Sequence, residues 1–260
     1  VTPPLASPAA EVRLEARGLS KTYGAVRALE DLSFTARAGE IVGLLGPNGA
    51  GKTTAIHILL GMLRPTSGEA ALFGLSPLER PYDIYPRINF SSAYVQLPYN
   101  MKVDANLRFF ARLYAVPDAE VRIAELLGRF GIAHLARSAT GALSSGEQTR
   151  LNLCKSLLND PEILFLDEPT ASLDPDIAER VRETLKSIQR SRRITVLYTS
   201  HNMSEVEALC DRVIFLHRGR KIIEGTSAEV RDHFNKESLE KVFIHLARGG
   251  DLKVLDGEEA

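Results

Sequence analysis

The apolar positions of this chain fall into two recurring patterns. Ile41–Leu45, Ile163–Leu166, Thr195–Tyr198 and Val213–Leu216 are short, nearly unbroken hydrophobic runs. That length suits a strand, and the lack of polar alternation suits a parallel sheet covered on both faces. Helical spacing appears between them. Ile56, Leu59, Leu60 and Leu63 mark one face of a helix over Lys52–Leu63, and Ala105–Tyr114 is amphipathic. Ala119–Phe130 continues as helix and is stopped by Gly131 as its C′ residue. A helix is expected from Ser145 to about Asn159. Another spans Pro175–Gln189, opened by Asp174 as N-cap with proline at N1, and a third covers Asn202–Leu209. Val12–Arg17 and Val26–Ala36 read as strands on either side of a Gly18–Gly24 loop, and Arg64–Gly68 as a turn. The flanks therefore alternate strand and helix, while 76–159 reads as mostly helical. This is an α/β core with a helical insertion, without internal repeat, heptad run or low-complexity segment.

Composition narrows the reading. Of 260 residues, 44% are hydrophobic and 25% charged, an ordinary globular balance. Lys+Arg (32) and Asp+Glu (33) nearly cancel, so no global field gathers nucleic acid or acidic lipid, and no nucleic-acid partner is expected. The basic cluster Arg190–Arg193 reads as a solvated helix C-terminus. Two cysteines, Cys154 and Cys210, are too few for a disulfide scaffold or zinc site and read as core or groove residues. No stretch approaches the roughly 20 apolar residues of a membrane helix. The first ten residues, with three prolines and no basic run, read as a loose lead rather than a targeting peptide.

One loop carries chemistry. Gly46, Pro47, Asn48, Gly49, Ala50, Gly51, Lys52, Thr53 and Thr54 fit the pattern G-x-x-x-x-G-K-[ST], with a strand before and a helix after. Such a loop curls its backbone N–H groups toward phosphate oxygens, and the helix N-terminus adds its dipole. Lys52 supplies a mobile charge for the β- and γ-phosphates, and Thr53 a hydroxyl for Mg²⁺.

Further motifs follow, and with them the chain resembles an ATP-binding cassette (ABC) protein over about residues 11–235. Leu143-Ser-Ser-Gly-Glu-Gln148 resembles the signature L-S-G-G-Q, with Ser145 at its first glycine and Glu147 at its glutamine. Ile163-Leu-Phe-Leu-Asp167-Glu168 resembles the Walker B strand, Ser172-Leu-Asp174 the D-loop, His201 the switch histidine, and Tyr23 the aromatic that stacks on adenine. The resemblance implies a P-loop NTPase (ABC ATPase) core with a mostly parallel sheet, an N-terminal antiparallel β part and a helical subdomain. It implies one domain over 11–248, with core segments 11–75 and 160–235, helical subdomain 76–159, and flexible ends 1–10 and 249–260.

ATP and Mg²⁺ are the cofactors this implies. Asp167 would hold the metal with Thr53, and Glu168 would polarise the attacking water. Read from spacing alone, Ser144 is an ordinary helix cap. The resemblance instead turns Ser144, Ser145, Gly146 and Glu147 toward the γ-phosphate bound by a second cassette. The alternative for Tyr23 is a ring that only packs. The remaining histidines, His57, His134, His217, His233 and His245, read as surface residues. The family's metal-sensing glutamine has no clean match: a gapless register puts Ala93 there, and Gln96 takes the place only if the strand from Ile88 is extended. Gln96 is favoured because it has the polar atoms.

Only about 90 residues separate Lys52 from Ser144, too few for the long coiled coils of soluble chromosome-acting members, and there is one cassette rather than two. Ser238-Leu-Glu-Lys-Val-Phe243 is similar to a C-terminal motif common in exporter-type subunits. The expectation is an ATPase subunit on the cytoplasmic side of the membrane, working as a homodimer or with a paralogue. It would drive a separate membrane chain, in export rather than import. The alternative is a soluble ABC ATPase acting on DNA or ribosomes.

Overall fold

The computed structural model describes residues 11–92 and 96–247; both expected flexible ends and Ala93 lie outside them. The described residues open with a hairpin, β1 (Val12–Tyr23) and β2 (Val26–Arg37), followed by β3 (Ile41–Leu45), α1 (Lys52–Leu59) and β4 (Ser67–Leu72). Next come α2 (Pro81–Ile84), β5 (Ile88–Ser92), α3 (Val103–Leu113), α4 (Ala119–Arg129) and α5 (Ser145–Ser156). The remainder alternates: β6 (Ile163–Asp167), α6 (Pro175–Arg192), β7 (Thr195–Thr199), α7 (Met203–Leu209), β8 (Arg212–His217), β9 (Arg220–Gly225), α8 (Ser227–His233) and α9 (Leu239–Ala247).

Two sheets result. A three-stranded antiparallel sheet has order β2-β1-β4, and a six-stranded sheet has order β5-β6-β7-β3-β8-β9, parallel except for β8–β9. The six-stranded sheet divides the core. Ile163 and Phe165 of β6 pack with Val42, Leu44, α1 and the antiparallel sheet. Leu164 and Leu166 point the other way, toward Leu151, Leu153 and Leu185. Side chains alternate along a strand, so burial on both faces requires every position to be apolar. Those are the unbroken runs seen in the sequence.

Several boundaries differ from the sequence reading. Gly18–Tyr23 is strand rather than loop, with Gly24 in the turn: β1 runs on to Tyr23 through register shifts around Ala16, Leu19 and Lys21, because Leu19 is buried opposite Leu32. Helix α1 stops at Leu59 instead of Leu63. Gly61 has φ 70°, its N–H donates to Ile58 O and that of Met62 to His57 O, a Schellman ending. A Cβ at Gly61 would lie 2.6 Å from Pro77 O, so the close approach of that turn demands glycine. Gly131, with φ 67°, closes α4 in the same way. Residues 67–72, unforeseen as a strand, supply the third strand of the antiparallel sheet. The mostly helical stretch 76–159 also contains β5, which pairs with β6 at the edge of the main sheet. Asp174 occupies the N-cap position of α6 but makes no side-chain cap bond. His217 is buried at the end of β8, not on the surface, and burial lowers its pKa.

Candidate functional site

Parallel strands deliver their carboxyl ends to one edge, the place where open α/β sheets form their binding crevices. Here β3 ends in the Gly46–Gly51 loop, β6 ends in Asp167 and β7 leads to His201. Ala28 of β2, Asn48–Thr54, Asp167, Glu168 and His201 line a cleft of about 280 Å³.

The loop's shape depends on its glycines. Gly46 has φ 148°, and a Cβ there would lie 2.2 Å from Leu216 O; Gly51 has φ 105° and would meet Ala28 O at 2.5 Å. Helix α1 has no side-chain cap and no acidic residue in its first turn, so its leading N–H groups and dipole are left for an anion. Lys52 Nζ donates to Gly46 O (2.6 Å) and Pro47 O (3.2 Å), folded over the loop it would share with phosphate. Burial lowers the Lys52 pKa, while Glu168 and Asp167 oppose that shift.

Glu168 is only 6% exposed and has φ 54°, a backbone conformation costly for a residue other than glycine. Its N–H donates to Thr199 O and Thr199 Oγ1, both at 3.2 Å. Its carboxylate accepts from the His201 N–H (3.3 Å), and His201 Nδ1 lies 2.8 Å from Oε1. Burial pushes the Glu168 carboxyl above the usual carboxylate range, against the lowering influence of His201. Thr199 also donates to Asp167 Oδ1 at 2.6 Å, so one hydroxyl serves both carboxylate-bearing residues.

A family model, "ABC transporter", matches residues 29–171, which hold the phosphate loop, Asp167 and Glu168. The chain is 38% identical over 223 residues to "Nod factor export ATP-binding protein I" of Ralstonia nicotianae, covering 85% of this chain and 69% of that protein. The chain belongs to the ABC transporter family. Among solved structures, "Structure of ATP binding subunit of ABC transporter" superposes with a TM-score of 0.83 at 28% identity, covering 90% of this chain and 99% of that one. CbiO1 of Clostridium perfringens, "part of the ABC transporter complex cbiONQ", gives 0.77 at 28% identity, covering 92% and 98%. This protein is an ATP-binding, ATP-hydrolysing subunit of the ABC transporter type.

The other sequence-derived site residues of the cassette sit elsewhere. Ser144 caps α5 through a capping box: Glu147 N–H donates to Ser144 Oγ (3.3 Å), while Ser144 N–H and Oγ donate to Glu147 Oε2 (2.8 and 2.9 Å). These bonds hold the Glu147 carboxyl below its usual range. The helix-cap reading from spacing thus describes what Ser144 does within one chain. Ser144, Ser145, Gly146, Glu147 and Asp174 do not line the cleft. The signature instead abuts the D-loop: a Cβ at Gly146 would lie 3.4 Å from Leu173 Cδ2 and 3.6 Å from Ser172 O.

Tyr23 is 49% exposed at the tip of the β1–β2 hairpin, with the Lys21 ammonium 5.2 Å from its ring centroid. Gln96 is exposed and is not among the cleft-lining residues; the strand extension that would favour it falls on residues 93–95, outside the described residues. Sequence reasoning missed Thr199. Its only signal is a hydroxyl at the end of an apolar strand two residues before His201.

Proposed function

We propose that this subunit hydrolyses ATP with Lys52, Glu168 and His201, in a composite site completed by the signature of a second cassette. The observation that carries this reading is the gathering of Lys52, Thr53, Asp167, Glu168 and His201 on one cleft from three separate strand ends. Lys52 and the N–H groups of the Gly46–Gly51 loop bind the phosphates. Glu168 takes a proton from water as its oxygen bonds to the γ-phosphorus and the bond to the ADP oxygen breaks, leaving ADP and phosphate. Its raised pKa makes it the better base, and His201 fixes its orientation.

The donor set suits Mg²⁺. Thr53 and Asp167 offer hard oxygen ligands, and that ion takes one or two protein oxygens with phosphates supplying others. Among the described residues no group of three or more His, Cys, Asp or Glu forms a metal cage of its own, in keeping with this mode. Bound with ATP, the ion would offset charge on the phosphate oxygens, and Gln96 is the remaining candidate to sense it.

The test of the phosphate assignment is Lys52→Ala. A charge-assisted contact is worth roughly 1.5–3 kcal/mol, so ATP affinity should fall by about 10- to 150-fold, with turnover lost. Unchanged affinity in a nucleotide titration would remove Lys52 from the site.

The working unit in this proposal is two cassettes, identical or paralogous, closing head to tail around two ATP molecules and driving a separate membrane-spanning chain. The subunit sits peripherally on the cytoplasmic side. No described helix is long and apolar enough to cross a membrane. The name of the export relative and the Ser238–Phe243 motif favour export.

The membrane chain docks, in this reading, on α3. That helix exposes Phe109 (53%) and Leu113, with Phe110 packed edge-on at 5.3 Å from Phe109. Lys155 lies beneath, its ammonium 5.5 Å from the Phe110 centroid and its pKa pulled down to about 8 by burial. Exposed aromatic clusters of this kind mark protein contacts. Phe109→Asp should cut stimulation by the membrane chain at least about tenfold, as loss of an aromatic anchor does, while basal turnover holds. Equal loss of basal and stimulated rates would argue against docking there.

A further inference from the structure

Behind the cleft lies a buried carboxylate that the hydrolysis above does not use. Glu205, on α7, is 5% exposed. Its Oε2 accepts from Thr170 Oγ1 (2.6 Å), Tyr198 OH (3.2 Å) and Ser200 Oγ (3.3 Å), and its Oε1 accepts from Arg182 Nη1 (2.8 Å). These donors come from different segments. Thr170 follows Glu168 by two residues, Tyr198 and Ser200 lead into His201, and Arg182 belongs to α6.

The ring closes around His201. Ser200 Oγ accepts from the Asn202 N–H (3.0 Å), and Asn202 Oδ1 accepts from the Glu205 N–H (3.4 Å) as the N-cap of α7. His201 itself is largely exposed, and its ring lies against Glu168 through Nδ1. Holding the backbone on both sides of an exposed ring cuts the number of positions the ring can take.

We propose that Glu205 is a positioning residue for hydrolysis, fastening the segment that carries Glu168 to the one that carries His201 and so keeping Nδ1 against Oε1. The inference rests on the reading of Glu168 and His201 as the catalytic pair. A buried ion pair is seldom a net source of stability, since an apolar side chain would fill the same space at lower desolvation cost. What four convergent donors supply is a single arrangement of the two loops. Through Arg182 the same carboxylate also reaches the helix that begins at the D-loop.

The test is a double-variant cycle on the full chain, with kcat, KM for ATP, ATP affinity and Tm measured for Glu205→Gln, His201→Ala and both together. Glu205→Gln keeps size and an acceptor oxygen but removes the charge. It should lower kcat roughly 10- to 100-fold, the cost of misplacing a reacting group by a fraction of an ångström to an ångström, with KM and ATP affinity within twofold. In the His201→Ala background it should lower kcat no further, because the register it maintains is already gone. If Glu205→Gln does not fold, Thr170→Val serves in the same cycle: it has the same shape, cuts the tie to the Glu168 segment and leaves the Arg182 pair intact. Unchanged kcat in the single variant, or a full independent loss on top of His201→Ala, overturns the role of Glu205. A His201→Ala protein that turns over at the wild-type rate instead overturns the catalytic-pair reading beneath it, and the two failures are told apart by that single variant.

Discussion

Glu168→Gln should lower ATP turnover by about 10³-fold, in the range general-base removal costs, while ATP affinity stays within a few-fold. The amide keeps the shape of the side chain and can still accept the His201 N–H, but it cannot take a proton from water. Binding is spared because Lys52 and the loop N–H groups, not Glu168, are the groups assigned to phosphate. With hydrolysis blocked, the ATP-bound closed pair should accumulate, visible as an ATP-dependent dimer on size exclusion. The wild-type pH profile supplies a second readout. Burial raises the Glu168 pKa above its ordinary 4.5, and the base acts only when ionised. Turnover should therefore fall as pH drops through that raised value, with the acid limb lying above that of a free carboxylate and absent from the residual rate of Glu168→Gln. Wild-type turnover in Glu168→Gln would sink the assignment.

Ser144→Arg should reduce turnover by roughly 10³-fold as well, comparable to losing a phosphate contact supplied in trans. Ser144 is exposed at the start of α5 and lines no part of its own chain's cleft. ATP affinity of the single chain should therefore stay within about threefold, since only the pairing of two cassettes meets the added bulk and charge. The substitution also removes the capping box, at a cost of about 1 kcal/mol. That loss is tolerable because α5 is anchored by buried Leu151, Leu153 and Cys154. The two roles separate cleanly: cap loss lowers Tm, and interface loss abolishes the ATP-dependent dimer. A Ser144→Arg protein that melts slightly earlier yet pairs and turns over normally would leave Ser144 as a helix cap alone.

Much of the fold was legible because it rests on short-range rules. Strands β3, β6 and β7 announced themselves as apolar runs since both faces of their sheet are covered. Gly131 was readable as a helix stop because a left-handed C′ residue is a local requirement. Where the reading failed, polarity outweighed packing. Ser20, Lys21 and Thr22 made β1 look finished at Arg17, although Leu19 anchors its continuation. Gly61 lay inside an apolar helical pattern, and the pattern hid a terminator that the turn against Pro77 makes obligatory.

The sequence by itself determined the phosphate loop, because its glycines, lysine and threonine are contiguous and their backbone demands are local. It determined the order of the carboxylates, the signature and the histidine, and the capping box of α5, whose partners lie three residues apart. Tertiary structure alone decided which of these meet. The parallel register pairs Asp167 with Thr199, which brings one hydroxyl between two carboxylate-bearing residues and sets His201 against Glu168. The same crossing of distant segments lays Gly146 against Leu173 and converges Thr170, Arg182, Tyr198 and Ser200 on Glu205. Contacts between distant segments depend on strand order and register, and those are set by how the whole apolar surface is buried rather than by any local pattern of residues.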